Sequence, residues 1–166
     1  MSTRQQRRAH VRSARPQSYR TWIIGGVVVV ATVVGLFWYL GSQPLYPKVG
    51  DHWHAPFTVV ICGERTPPLP PGPGDIHSHG DDVIHIHPAR PESAGRNATL
   101  ASFLATTPLK IPETSLEIRG KTYSNGDKCP DGRAGRVAVR VNGRERRDFA
   151  SYVPQDGDKL EFRFGP

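Results

Sequence analysis

Six of the seven histidines fall between positions 52 and 87, as three His-x-His pairs: His52/His54, His77/His79 and His85/His87. Neutral imidazole suits zinc, copper and nickel, and three or four such nitrogens at ~2.0–2.1 Å complete a site. Alternate residues of a strand share a face, so Val83-Ile84-His85-Ile86-His87 offers two imidazoles on one side and two isoleucines on the other. His77-Ser78-His79-Gly80-Asp81-Asp82 precedes that strand as a loop able to fold back over the imidazole face. His52 and His54 open the first strand, which is expected to pair nearby. Asp75, Asp81 and Asp82 are placed to accept from the distal ring nitrogens and fix their tautomers. A transition metal ion, Cu(II) or Zn(II), is the expected cofactor. Three ligands with an open position suit catalysis, whereas four closed ligands suit a structural site or a store. Two metal-free readings stand beside it: a pH switch, because clustered imidazoles charge together near pH 6 and repel, and a hydrogen-bonded surface patch.

The elements that must position these side chains are legible as short periodic runs. Phe57–Cys62 and Val83–His87 read as strands, the second ended by Pro88. Asn97 or Thr99 caps a short helix carrying Leu100, Phe103 and Leu104, stopped before Pro108. Ser115–Ile118, Val137–Val141 (followed by the Asn142-Gly143 turn) and Lys159–Phe164 complete the strands. The Pro-rich segment 66–74 lacks amide donors and reads as a stiff surface loop. The sum is an α+β domain with a small mixed sheet and one short helix.

Trp22–Leu40 holds 19 uncharged residues, and at ~1.5 Å per residue a helix of that length spans roughly the ~30 Å hydrocarbon core of a bilayer. Trp22 at one end and Trp38-Tyr39 at the other suit the headgroup level. Six arginines (Arg4, Arg7, Arg8, Arg12, Arg15 and Arg20) precede this run with no acidic residue, which predicts a cytoplasmic N-terminus and an extracytoplasmic C-terminal domain. The run is longer than a signal-peptide core and no A-x-A site follows, so an uncleaved single-pass anchor in the cell membrane is expected. The organisation is thus an Arg-rich tail (1–21), a transmembrane helix (22–40), a stalk (41–50) and an extracytoplasmic domain (51–166).

The net charge of +7 belongs to the tail. Seven of the 22 basic residues, the six arginines and Lys48, precede Asp51, and all 15 acidic residues lie from Asp51 onward, so the domain carries 15 of each sign. Without a net basic charge, nucleic-acid binding is disfavoured. The domain is also too short for a (β/α)₈ barrel of ~250 residues.

Cys62 and Cys129 are the only cysteines. In an oxidising compartment such a pair becomes a disulfide. The alternative, a thiolate ligand in an electron-transfer copper site, normally adds an axial Met, and the single methionine is Met1, on the far side of the expected anchor.

The stretch H-W-H, then I-H-S-H-G-D-D-V-I-H-I-H-P, then V-A-V-R-V-N-G and Q-D-G-D-K-L-E-F-R-F-G resembles a family of uncharacterised membrane-anchored extracytoplasmic proteins. These carry H-x-H near the start and H-T-H-D…G-V-I-H-I-E in the middle; here Ser78 stands for the Thr and His87 for the Glu. The resemblance implies the architecture and no activity. The tail is also similar to the last strands of β-grasp sulfur carriers, which implies a β-grasp-like shape. Their thiocarboxylate chemistry needs a terminal Gly-Gly, where this chain has Gly165-Pro166. Asp75-Ile76-His77-Ser78-His79 is similar to the D-x-H-x-H of amidohydrolase barrels, but that barrel does not fit this length. The H-x-H-x-D-H of metallo-β-lactamase-like hydrolases has Asp82 in place of its last His, and the second cupin motif is absent.

The leading expectation is a membrane-anchored extracytoplasmic protein that binds copper or zinc for metal handling or sensing, with the lipid bilayer as one partner. The alternatives are an accessory subunit of a larger membrane complex and, third, a small metalloenzyme, for which no nucleophile–base pair is legible.

Overall fold

The computed structural model describes residues 19–41 and 45–166, as two separate compact units. The first is helix α1, Tyr19–Gly41. It is long and apolar enough to cross a membrane, and its side chains are exposed throughout. At ~1.5 Å per residue its 23 residues reach about 34 Å. The valine-rich sequence is a poor helix former in water, but in lipid every backbone amide must be satisfied within the segment. Thr32 follows the same rule by donating its hydroxyl to the Val28 carbonyl at 2.8 Å.

The second unit is the α+β domain. Its strands are β1 (Trp53–Ile61), β2 (Glu64–Arg65), β3 (Ile76–His77), β4 (Val83–Ile86), β5 (Ser115–Ile118), β6 (Lys121–Ser124), β7 (Arg136–Val141), β8 (Arg144–Glu145) and β9 (Leu160–Gly165), with helix α2 (Leu100–Ala105) between β4 and β5. The main sheet has the order β3-β4-β1-β9-β7-β8, with β2 paired to β1, while β5 and β6 form a separate hairpin. β1 and β9, the first and last strands, run parallel at the centre, and the other pairings are antiparallel.

The register explains the core. Phe57 lies beside Leu160, and Leu160 beside Val141; Val59 lies beside Phe162, and Phe162 beside Val139. All are buried, and so is Ala55 beside Ile84. Helix α2 covers this face with Leu100, Phe103 and Leu104. Phe103 stands edge-on to Phe57 with ring centroids 5.4 Å apart, and Phe57 stands likewise to Phe162 at 5.9 Å. Of the two candidate caps, Thr99 takes the role, its hydroxyl accepting from the Ser102 amide at 3.2 Å. Asn97 instead ends a 3-10 turn.

Two expectations need correction. Residues 45–50 are not a stalk: Pro47 is fully buried, Tyr46 packs on the core, and Leu45 exchanges two hydrogen bonds with the Gln155 side chain. The Pro47 carbonyl also accepts from Gly95. These residues are held to the domain through Tyr46, Pro47 and Leu45; of the rest of the expected stalk, 42–44 lie outside the described residues. The Pro-rich loop is not wholly on the surface, because Leu69 reaches the core at 1% exposure, and Arg119 clasps the Pro67 and Pro68 carbonyls.

Cys62 and Cys129 form a disulfide, with Cα atoms 5.5 Å apart and a sequence separation of 67. It ties the end of β1 to the loop before β7. In the chain-entropy account a loop of that size is worth about 4 kcal/mol. The Cys62→Ser/Cys129→Ser variant should therefore unfold in urea at a markedly lower midpoint, with a slope no shallower than that of the wild type because the released unfolded chain exposes more surface. An unchanged midpoint would show that the crosslink does not restrain the unfolded chain.

Candidate metal centre

The alternation that buries Ala55, Phe57 and Val59 turns His54 to the opposite face of β1. His54 is paired with His85 of β4, and His85 with His77 of β3. Three adjacent strands thus carry an imidazole at the same level of one sheet face. His52 and His87 lie just beyond the ends of β1 and β4, with rings stacked at 4.3 Å. The loop after β3 folds back, laying His79 on His85 with ring centroids 4.2 Å apart and planes 14° from parallel. All six histidines expected as ligands are therefore joined by ring contacts of 4.2–5.9 Å in one patch.

Two groups within the patch bring potential ligand atoms within 4.8 Å of one another: His54, His85 and His87, and His79, Asp81 and His85. His85 belongs to both and is the most buried of the six, at 9% exposure. Its Nε2 meets Asp81 Oδ2 at 2.8 Å. A carboxylate only accepts, so Nε2 carries the proton and the lone pair of the neutral ring resides on Nδ1. That Nδ1 is buried and has no hydrogen-bond partner, as are His87 Nε2 and His77 Nδ1. The Gly74 carbonyl lies near enough to the His77 ring to favour its charged form without completing a bond to Nδ1. His77 and His79 meet through their Nε2 atoms at 2.7 Å, so one donates and the other accepts.

The loop that delivers Asp81 is tightly specified. Ser78 is fully buried, its hydroxyl donates to Asp81 Oδ1 at 3.3 Å and it accepts from the Gly80 amide at 3.2 Å. The Val83 amide also reaches Asp81 Oδ1. Gly80 has φ +86°, a left-handed conformation that glycine takes without steric cost. Burial raises the Asp81 pKa, but the His85 and Val83 hydrogen bonds outweigh it and hold the carboxyl below its ordinary value.

Of the three aspartates expected to accept from imidazoles, Asp81 alone does so among the described residues. Asp82 is turned away by its backbone, at φ +58°, and pairs with Arg65 at 2.8 Å. Asp75 instead accepts from the Ala89 amide and the Ser93 hydroxyl, which hold its carboxyl below the usual range, the Ser93 bond first. It still serves the site, since its backbone carbonyl accepts from the His87 amide at 2.8 Å. Asp156 was not legible from the sequence as part of the site: its Oδ1 accepts from the His54 amide while Gly157 donates to the His54 carbonyl, both at 2.8 Å. This loop lies a hundred residues downstream in sequence, and no local pattern signals the clasp.

Compared with known protein families, curated proteins and solved structures, the chain matches none.

Burial holds the His77 pKa below the ordinary 6.5, aided by the neighbouring His79 and His85 rings. His87 is lowered likewise, by burial first and then by His52, His85, His54 and His77. A group depressed in the fold leaves the unfolded chain to take up the proton first. Stability is therefore full above pH 6.5 and falls as pH drops toward the depressed values. The melting temperature of the metal-free protein should decline between pH 7 and 5, and His77→Gln/His87→Gln should flatten that decline. A profile identical in the variant would rule these two rings out as its source.

Proposed function

We propose that this chain is a single-pass membrane protein whose extracytoplasmic domain binds a divalent transition metal, Cu(II) or Zn(II), through the histidine patch, for metal handling or sensing. The observation that carries the reading is that His85 and His87, each with a buried ring nitrogen without a partner, bring potential ligand atoms together with His54. Each unsatisfied buried polar group costs roughly 1–3 kcal/mol, and a coordinated ion removes that cost while using the lone pairs. The donor set supports the choice of ion, because clustered imidazoles with one carboxylate suit zinc and copper better than magnesium or calcium. Asp81 on the distal nitrogen of His85 supplies the partner that orients a ligating ring and raises its basicity.

The location rests on three features. One apolar helix near the N-terminus is long enough for a bilayer, six arginines lie on its N-terminal side or at its start, and a disulfide suits an oxidising compartment. The arginines favour retention of the N-terminus in the cytoplasm.

Purified full-length protein, loaded with Cu(II) or Zn(II) and dialysed, should retain about one ion per chain by mass spectrometry, and His85→Ala/His87→Ala should retain none. Absence of both metals from the wild type would overturn the reading and favour an accessory-subunit role. Protease added to intact cells should remove a C-terminal tag and spare an N-terminal one; the reverse pattern would invert the topology.

A further inference from the structure

The two ligand groups overlap at one residue, and an imidazole has two nitrogens but, when neutral, only one lone pair. Resting on the metal-binding reading above, we infer that His85 is shared by two stations that hold a single ion in turn: an outer station of His79, Asp81 and His85, which captures it from solvent, and an inner station of His54, His85 and His87, which keeps it.

The burial of the two groups differs in the required sense. His79 and Asp81 are exposed, with the Asp81 side chain 42% accessible, so a hydrated cation meets a carboxylate and an imidazole at the surface. The inner group adds to buried His85 the half-buried His87, whose Nε2 has no partner, and one exposed ring, His54. The outer station is N₂O and carries a negative charge, which attracts a cation at distance. The inner station is N₃, with no carboxylate, and suits a borderline metal once its water has been shed.

His85 can serve each station through a different nitrogen. At the outer station the ion takes Nε2, beside Asp81 Oδ2, and the ring proton resides on Nδ1. At the inner station the ion takes Nδ1, and Nε2–H donates to Asp81 as it does in the structure. Transfer moves the ion from Nε2 to Nδ1, while one proton leaves Nδ1 for water and one arrives at Nε2 from water. No net proton is released. Asp81 changes from ligand to hydrogen-bond acceptor in the same step. Simultaneous filling would require His85 to lose its last proton, so one ion per chain is the stoichiometry.

Zinc(II) uptake by the full-length protein, followed by stopped flow against a chromophoric chelator and by equilibrium competition, separates the stations. His79→Gln should slow capture and release together, by about tenfold, with the affinity held within about threefold, because the outer station is the route both ways. His87→Gln should weaken affinity by about 10- to 100-fold, through faster release, with capture little changed. Melting curves of the metal-free variants check the fold. Equal losses of affinity in the two variants, or two zinc ions per wild-type chain, would overturn the shared-station inference while leaving metal binding intact. A wild type that takes up no zinc and no copper would overturn both.

Discussion

Strand β1 is hydrogen-bonded on one edge to β4 and on the other to β9, and the two registers are locked to each other by a single alternation of side chains. A slip of one residue would send Phe57 and Val59 to the open face and His54 into the core. The hydrophobic contacts of Phe57 with Phe103 and Phe162 therefore fix more than stability. They also fix which face of β1 carries the imidazole, and hence whether His54 meets His85. The site inherits its precision from the core behind it.

That inheritance has a counterpart at His85. The ring lies at 9% exposure in the middle of three strands, and Asp81 supplies one hydrogen bond while the other nitrogen has none. The aspartate is fixed in turn by Ser78 and by the Val83 amide. The arrangement is rigid on one side of the ring and unsatisfied on the other, which is the condition of a preorganised ligand.

The elements with strong periodicity were readable in sequence. The apolar run of α1, the alternating Val83–Ile86 and Leu160–Phe164 segments and the Leu100, Phe103, Leu104 face of α2 all lie where their patterns place them, and His54, His77 and His85 share a sheet face because paired strands alternate in register. Two-residue strands such as β2, β3 and β8 were not readable, since pairing with a neighbour creates them and no local pattern precedes it. The β6 strand, Lys121–Ser124, is exposed except at Tyr123, and one half-buried ring is too little alternation to betray it. The roles of Asp75 and Asp82 were misread for a related reason. Proximity in sequence to histidines does not decide where a carboxylate points; the positive φ of Asp82 and the turn holding Ser93 decide it. Residues 45–50 read as a linker by composition, yet Pro47 is buried by contacts from segments far along the chain.

The parallel pairing of β1 with β9 separates two kinds of assembly in time. The strands bearing the histidines, β1, β3 and β4, all fall within residues 53–86, so their antiparallel pairs close smaller loops, at lower entropic cost, than the pairing of β1 with β9. The strand that closes the core, β9, is the last element of the domain, and its contacts with β1 are among the most distant in sequence. Such non-local pairing is slow. A chain still emerging from its point of synthesis can thus gather its imidazoles while its phenylalanines remain open to water: the topology lets the polar patch assemble first and seals the apolar one last.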